Sequence, residues 1–402
     1  MKFLVAKADL KAALEIVSPA KASTGSDLSC HYLFRRPLDG SMDKVEVLTH
    51  SGRMAARSQF VAAIEQNSDD DQFAFTIEGW RLDMWLTSKD DKPLSFSYDE
   101  ETKLVTATAE GFEKHKPSEW MSLDPKNWHY WDEMLAEAKV TATFPAARLA
   151  AALKHSHLFA SDEETTAPEY CICEVRDGVL ASSDKKGASL IYSPLWAEST
   201  LRVHVRDISG IISFLEKHGA DDVEIMEHPR TLFFRFNDQY FVESRPLHEF
   251  PKFHHPNNDD QLWWVINAGD MKRGIKHLLS AAESKLDSRL ILNMPEPGGP
   301  IVMSMRSSVS KKVSIVELDV LESGVTEPGE GKDPYPVMPP EGFMITRDRL
   351  EDMLGVYDAD NLRIGINVKK KGGYIRFSNN KFEDESEANG DNYVTIMTWI
   401  NS

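Results

Sequence analysis

Residues 141–157 read TATFPAARLAAALKHSH. The stretch is a short strand turning into a helix. Leu149, Ala152 and Leu153 recur at i, i+3 and i+4, which is one apolar helix face. The polar side carries Arg148, Lys154, His155 and His157, and no acid occurs from Phe144 to Ala160 in a chain with 64 acidic and 46 basic residues. The same design appears in residues 3–18, FLVAKADLKAALEIVS, and in residues 264–280, WVINAGDMKRGIKHLLS. Superposing Leu10, Leu149 and Met271 brings Ala13, Ala152 and Gly274 together, and then Leu14, Leu153 and Ile275. Recurrence at domain-sized spacing predicts three related domains, over 1–137, 138–256 and 257–402. The small residue at the fourth position lets each helix approach what lies beneath it.

A second helix recurs in each third. Its apolar face is read as Leu82, Met84, Trp85 and Leu86, then Ile208, Ile211, Ile212 and Leu215, then Leu350, Met353 and Leu354. Between the helices lie short period-two runs bounded by turn residues, which are strands. Glu169–Val175 and Gly178–Ser182 read as a hairpin, because Asp177-Gly178 favours the positive φ such a turn needs. The fold class is therefore α+β, with two helices on antiparallel sheets in every domain. Residues 322–341, rich in Pro, Gly and Glu, read as a loop. The apolar stretch YVTIMTWI, 393–400, is expected to add a strand to a sheet. Trp120, Trp128 and Trp131 are either a stacking platform for bases or staples for a long connection, and the second reading is favoured.

Composition narrows the function. The chain has 402 residues and 41% hydrophobic content, enough for ordinary cores, with no apolar run long enough for a membrane helix. The start, MKFLVAKADLK, is charged too soon for a signal peptide. Three cysteines, Cys30, Cys171 and Cys173, make no disulfide framework and suit a reducing cytoplasm. The net charge is −18, yet the first-helix stretches of the three thirds, 5–22, 144–160 and 267–280, together carry eight basic residues against three acidic ones. That is a basic surface on an acidic body, or only the lysines every amphipathic helix carries; the distribution favours the former. No catalytic constellation is present. Neither a dinucleotide-binding nor a phosphate-loop glycine pattern occurs. His155 and His157, two apart on a helix, diverge and do not make a metal pair. No metal, cofactor or catalytic residue is expected.

Read together, these features resemble the bacterial DNA sliding clamp, the β subunit of DNA polymerase III. The resemblance spans the chain and rests on the opening Met1-Lys2-Phe3 with Leu10 and Val17-Ser18, and on Ser182-Ser183-Asp184. It rests also on Glu249-Phe250-Pro251-Lys252-Phe253 and on Tyr393-Val394-Thr395-Ile396-Met397. It implies the clamp fold, three repeated domains per chain, and a head-to-tail homodimer that closes a ring on duplex DNA. The implied function is that of a non-catalytic processivity factor, held by polymerase and clamp loader, without membrane association, in the cytoplasm at the nucleoid. A clamp-fold accessory to transcription or DNA modification is the alternative. Lys7, Lys11, Lys21, Arg148, Lys154, Lys272, Arg273 and Lys276 are then expected to face DNA. The family's peptide pocket maps to Pro168, Ser183, Lys186, Gly187, Ala188, Pro251, Pro256, Val394 and Ile396, although Val394 and Ile396 would serve equally to close a core. The family's DNA-touching arginine is replaced by Ser23-Thr24-Gly25. Lys185-Lys186-Gly187-Ala188 and Thr166-Ala167-Pro168 also depart from its pattern. Such a sequence marks a divergent member, of the kind a phage or plasmid can encode.

Overall fold

The computed structural model describes residues 1–22, 27–65, 73–89, 91–110, 116–128, 130–197, 199–251, 260–284, 289–293, 299–325, 342–356, 360–369, 372–379 and 392–399. It contains helices α1 (Lys7–Val17), α2 (Gly79–Thr87), α3 (Asp132–Glu137), α4 (Ala146–His157), α5 (Ile208–Lys217), α6 (Ala268–Ser280) and α7 (Arg347–Val356). All strand pairings among the described residues are antiparallel, in sheets of five, eight, nine and four strands. The chain folds into two compact units. One comprises Met1–Ala150 and Asp207–Arg245; the other comprises Ala151–Arg206 and Pro246–Ser402. The middle third thus contributes to both units, and the boundary at 256/257 lies outside the described residues.

The reason is strand pairing. In the first unit, Met54–Val61 pairs with Gln239–Ser244, with Ala55 opposite Val242 and Arg57 opposite Tyr240. That joint extends four strands of the first third by four of the second into one eight-stranded sheet. In the other unit, Gly187–Tyr192 pairs with Asn392–Trp399, with Ala188 opposite Ile396 and Leu190 opposite Val394. The C-terminal strand is held on its other side by Gly372–Ser378. It lies in the interior of a nine-stranded sheet, as its apolar sequence leads one to expect.

The helix seats obey the periodicity. On α1, Leu10, Ala13, Leu14 and Val17 are buried; on α4, Leu149, Ala152, Leu153 and Ser156; on α6, Met271, Gly274, Ile275 and Leu278. Each of the larger side chains contributes about 1.5–3 kcal/mol through burial. On α6 the small residue suits the observed fit: a Cβ on Gly274 would lie 2.5 Å from Met303 Cε and 3.1 Å from Val316 Cγ1, so both side chains would have to shift. The predicted two-residue hairpin is present between Ile172–Arg176 and Val179–Ser183, with positive φ at Asp177 and Gly178. Trp120, Trp128 and Trp131 are all buried, in keeping with a stapled connection.

Three local expectations are corrected. Met84 is exposed while Leu82, Trp85 and Leu86 are buried, because Met84 falls two residues from Leu82, on the far side of the helix. His155 is fully buried rather than on the polar side of α4. Residues 322–325, read as loop, complete the strand Val320–Val325, which pairs with Leu262–Asn267; the remainder of that stretch, 326–341, lies outside the described residues.

Candidate nucleic-acid and partner interface

The basic residues of the first helices differ in what they touch. Lys7 Nζ donates to the Lys89 carbonyl at 2.6 Å and lies 3.3 Å from Asp91. Lys21 Nζ donates to Asp83 at 2.9 Å and sits 4.4 Å above the Tyr32 ring. Both side chains are largely covered. Burial and the Asp83 carboxylate push the Tyr32 phenol far above its ordinary range. Lys11 is exposed, 4.0 Å from Glu15. Glu15 in turn accepts from Lys217 at 2.8 Å, which holds its carboxyl below the usual range. On α4, Lys154 is exposed and Arg148 half-buried. On α6, Arg273 and Lys276 are exposed and Lys272 is half-buried; Arg273 pairs with Asp270. The loop at Ser23-Thr24-Gly25 lies outside the described residues.

His155 shows why α4 is oriented as it is. Its Nδ1 is 2.6 Å from Ser189 Oγ and its Nε2 3.2 Å from Thr395 Oγ1. Burial lowers its pKa to about 3, so the ring is neutral at pH 7. One imidazole thereby ties α4 to both strands of the joint in the nine-stranded sheet.

Of the expected pocket residues, Ala188 lies on the opposite face of that joint, since it neighbours Ser189 on the strand. The register places Ala188 beside Ile396, and Ser183 beside Ala188. The turn between Ser183 and Gly187 is rigidly held. Ser183 Oγ donates to the Gly187 carbonyl at 2.7 Å and accepts from Lys185 N at 3.1 Å. Asp184 Oδ1 accepts from Lys186 N at 3.0 Å and Gly187 N at 2.8 Å, and its other oxygen accepts from Arg349 of α7. Lys185, at φ 73°, lies 5.0 Å over the Tyr170 ring, and Lys186 is exposed. Pro168 opens the short turn that contains Tyr170. Phe250, next to Pro251, is buried with Val179, Ala181 and Leu190. Its amide donates to Glu174 at 2.8 Å, and its carbonyl accepts from Arg176 at 3.1 Å. Pro256 and the side chains of Val394 and Ile396 lie outside the described residues.

Two features escaped the sequence reading. Asp260 and Arg376 form an ion pair in which both are 1% exposed. Gly365 makes room for it, since a Cβ there would collide with the Asp260 carboxylate. On the eight-stranded sheet, Arg35, Glu46 and Arg57 form a second, partly buried network with Asp132 of α3. Both depend on pairings across many intervening residues, for which no local pattern exists. Among the described residues no cluster of metal-ligating side chains is found, and no helix is long and apolar enough to cross a membrane.

The fold so defined is the sliding-clamp fold. The chain superposes over its full length on bacterial DNA polymerase sliding clamps of known structure. With the clamp of Bacillus subtilis the TM-score is 0.77 at 12% identity, covering 100% of this chain and 99% of that one. With that of Caulobacter crescentus it is 0.75 at 14%, covering 99% of each. With a putative DNA polymerase III beta subunit of Eubacterium rectale it is 0.75 at 13%, covering 100% of each. No family model matches the chain, and no curated protein matches it in sequence.

Proposed function

We propose that the chain is a DNA sliding clamp: a non-catalytic processivity factor that encircles duplex DNA and tethers a polymerase. The observation that carries this reading is the clamp fold over the whole chain, combined with basic outward positions on α1, α4 and α6 in a protein of net charge −18. Lys and Arg on helices give phosphate contacts that are blind to sequence, which is what sliding requires. An acidic remainder disfavours DNA elsewhere. Lys11, Arg148, Lys154, Lys272, Arg273 and Lys276 are assigned to DNA. Lys7 and Lys21 contribute less, since both are engaged within their own fold. Three repeats per chain suit a head-to-tail dimer, whose heterologous interface closes by symmetry. Polymerase and loader would dock through short peptides on the outer face of the Gly187–Tyr192 and Asn392–Trp399 joint.

The test is retention on DNA. Loaded by its cognate loader, the protein should stay on nicked circles and slide off the same DNA once linearised. Native mass spectrometry should give about 91 kDa, twice the 45.4 kDa chain. Equal retention on circular and linear DNA, or a monomer throughout the micromolar range, would overturn the reading.

A further inference from the structure

Where Met54–Val61 meets Gln239–Ser244, a cleft of about 380 Å³ opens between α1 and the eight-stranded sheet. Ala12, Ala13 and Ile16 of α1 line one side, and Phe60 and Phe236 line it from the strands. Two successive alanines keep the helix surface low there. Asp9, Lys44 and Asp238 also border the cleft, with Lys44 Nζ 3.5 Å from Asp238. That pair is neutral as a unit, so the exposed Asp9 leaves the border with a net negative charge.

Two polar side chains in the cleft are unsatisfied. Ser58 and Gln239 both line it; Ser58 is 0% exposed and Gln239 half-buried. Among the described residues, neither Ser58 Oγ nor Gln239 Oε1 has a hydrogen-bond partner, and both atoms are buried. The register shows that they face α1. Thr49, opposite Ala56, donates to the Val17 carbonyl at 2.6 Å, which marks the sheet face that the helix covers. Ser58 is two residues from Ala56 and shares that face. On the adjoining strand Phe241 is opposite Ala56, and Gln239 lies two residues before it. Buried oxygens left in this state cost folding free energy.

The fold itself does not demand polar groups at these positions. The hairpin of Lys44–His50 with Met54–Val61 closes on His50 opposite Ala55, and that of Val179–Ser183 with Gly187–Tyr192 closes on Ser183 opposite Ala188. Arg57 faces Tyr240 across one joint as Leu190 faces Val394 across the other. Counted from these pairs, Ser58 and Gln239 correspond to Ile191 and Tyr393, which lie opposite each other. The counterpart of Ile16 is His155, which contacts Ser189 and Thr395. Beneath α4 the polar side chains thus engage one another, whereas beneath α1 they face the cleft.

We propose that this cleft binds a small organic cation, a primary amine carried on an aromatic or branched aliphatic body. Its volume falls in the range of small-molecule sites. The body packs against Ile16, Phe60 and Phe236. The ammonium supplies the donors that Gln239 Oε1 and Ser58 Oγ lack, and Asp9 favours its charge. Ser58 is covered, so the Gln239 side chain turns aside as the ammonium enters. The ligand then touches elements of the first and middle thirds at once. This site is independent of the clamp reading and adds a small-molecule input to the protein.

The experiment is fluorine NMR of para-fluorophenethylamine titrated with the full-length protein. Saturable line broadening with a Kd below about 1 mM is expected. para-Fluorophenylpropionate, with the same ring and the opposite charge, should bind at least about tenfold more weakly. Ser58→Ala with Gln239→Leu should weaken the amine at least about tenfold. That variant should melt no earlier than wild type, because neither lost oxygen has a hydrogen bond to give up. Ala12→Phe, at an exposed helix position, should close the cleft and abolish binding, and it carries the result if the double variant melts early. No saturation up to about 10 mM amine overturns the proposal. So does equal affinity for the acid, or affinity unchanged in Ala12→Phe or in a folded double variant. Neither result bears on retention on nicked circles, so the clamp reading stands or falls separately.

Discussion

α1 and α6 are built on one pattern, yet they use their charges differently. Each buries residues at i, i+3, i+4 and i+7. Around α1 the lysines are largely engaged: Lys7 by Lys89 O and Asp91, Lys21 by Asp83 and Tyr32, and Lys11 beside Glu15. On α6 the only acid is Asp270, paired with Arg273, and Lys276 is exposed. Counting charges along a helix therefore overstates the field it projects. A lysine held by a neighbouring carboxylate offers a phosphate little, because the contact must first break an existing pair. The difference predicts unequal contributions to DNA binding and, in the reverse sense, to stability.

The largest effect should come from α6. Lys276→Glu is expected to shorten residence on nicked circular DNA by about fiftyfold, about 2.3 kcal/mol. Each lost phosphate contact lowers the salt slope by about 0.9. Lys7→Gln with Lys21→Gln should change residence less than about twofold, within about 0.4 kcal/mol. Equal losses for Lys276→Glu and for the α1 pair would erase the distinction between the two helices.

Packing gives the next. Gly274→Val should destabilise by about 2 kcal/mol, since the side chain must displace Met303 and Val316. Ala13 fills the equivalent position on α1 while remaining buried. Equal urea midpoints for wild type and Gly274→Val would show that α6 has room for bulk where the glycine stands.

α4, between them in sequence, is sharpened by pH. His155 has a folded pKa of about 3, below its ordinary value near 6.5. The neutral ring is the one the fold accepts, so its contribution is complete above about pH 6.5. It is lost as pH falls toward 3, at up to about 1.4 kcal/mol per pH unit. His155→Gln should be less stable at pH 7.5 but lose less on going to pH 5. The comparison of urea midpoints at the two pH values isolates this ring from His157 and His218, which burial shifts in the same direction. Parallel losses in both proteins would show that His155 is not the titrating group.

The smallest effect belongs to α1's neighbourhood. Lys21→Gln should cost about 1 kcal/mol, as Asp83 and Tyr32 lose a partly covered ammonium. Lys276→Gln should stay within about 0.5 kcal/mol. A reversed order in thermal melts would break the comparison from the stability side.

Much of the fold was legible because its signals are local. The helix seats repeat within one turn, the Asp177-Gly178 hairpin needs two residues, and the apolar 393–400 stretch has to be paired. What was not legible depends on distant partners. Nothing near Lys21 announces Asp83, and nothing near His155 announces Ser189 and Thr395. Nothing near Asp132 announces Arg35, which reaches it from a strand 97 residues earlier. The sharing of the middle third between two sheets is likewise a matter of edge pairing, which a one-dimensional pattern does not encode. The candidate pocket was legible in part: Phe250 and the Ser183–Gly187 turn are local motifs, whereas the Asp260–Arg376 pair in the same unit is not.

The position of Asn392–Trp399 has a consequence for synthesis. Its neighbours, Gly187–Tyr192 and Gly372–Ser378, each present an open edge until it arrives. A ribosome delivers it after every other strand of that sheet. Two half-sheets with unsatisfied edges must therefore wait in the cell for their central strand, a situation that favours misassociation between nascent chains. Slowing translation before residue 392, or removing the strand, should send the protein toward aggregates rather than toward a shorter soluble form.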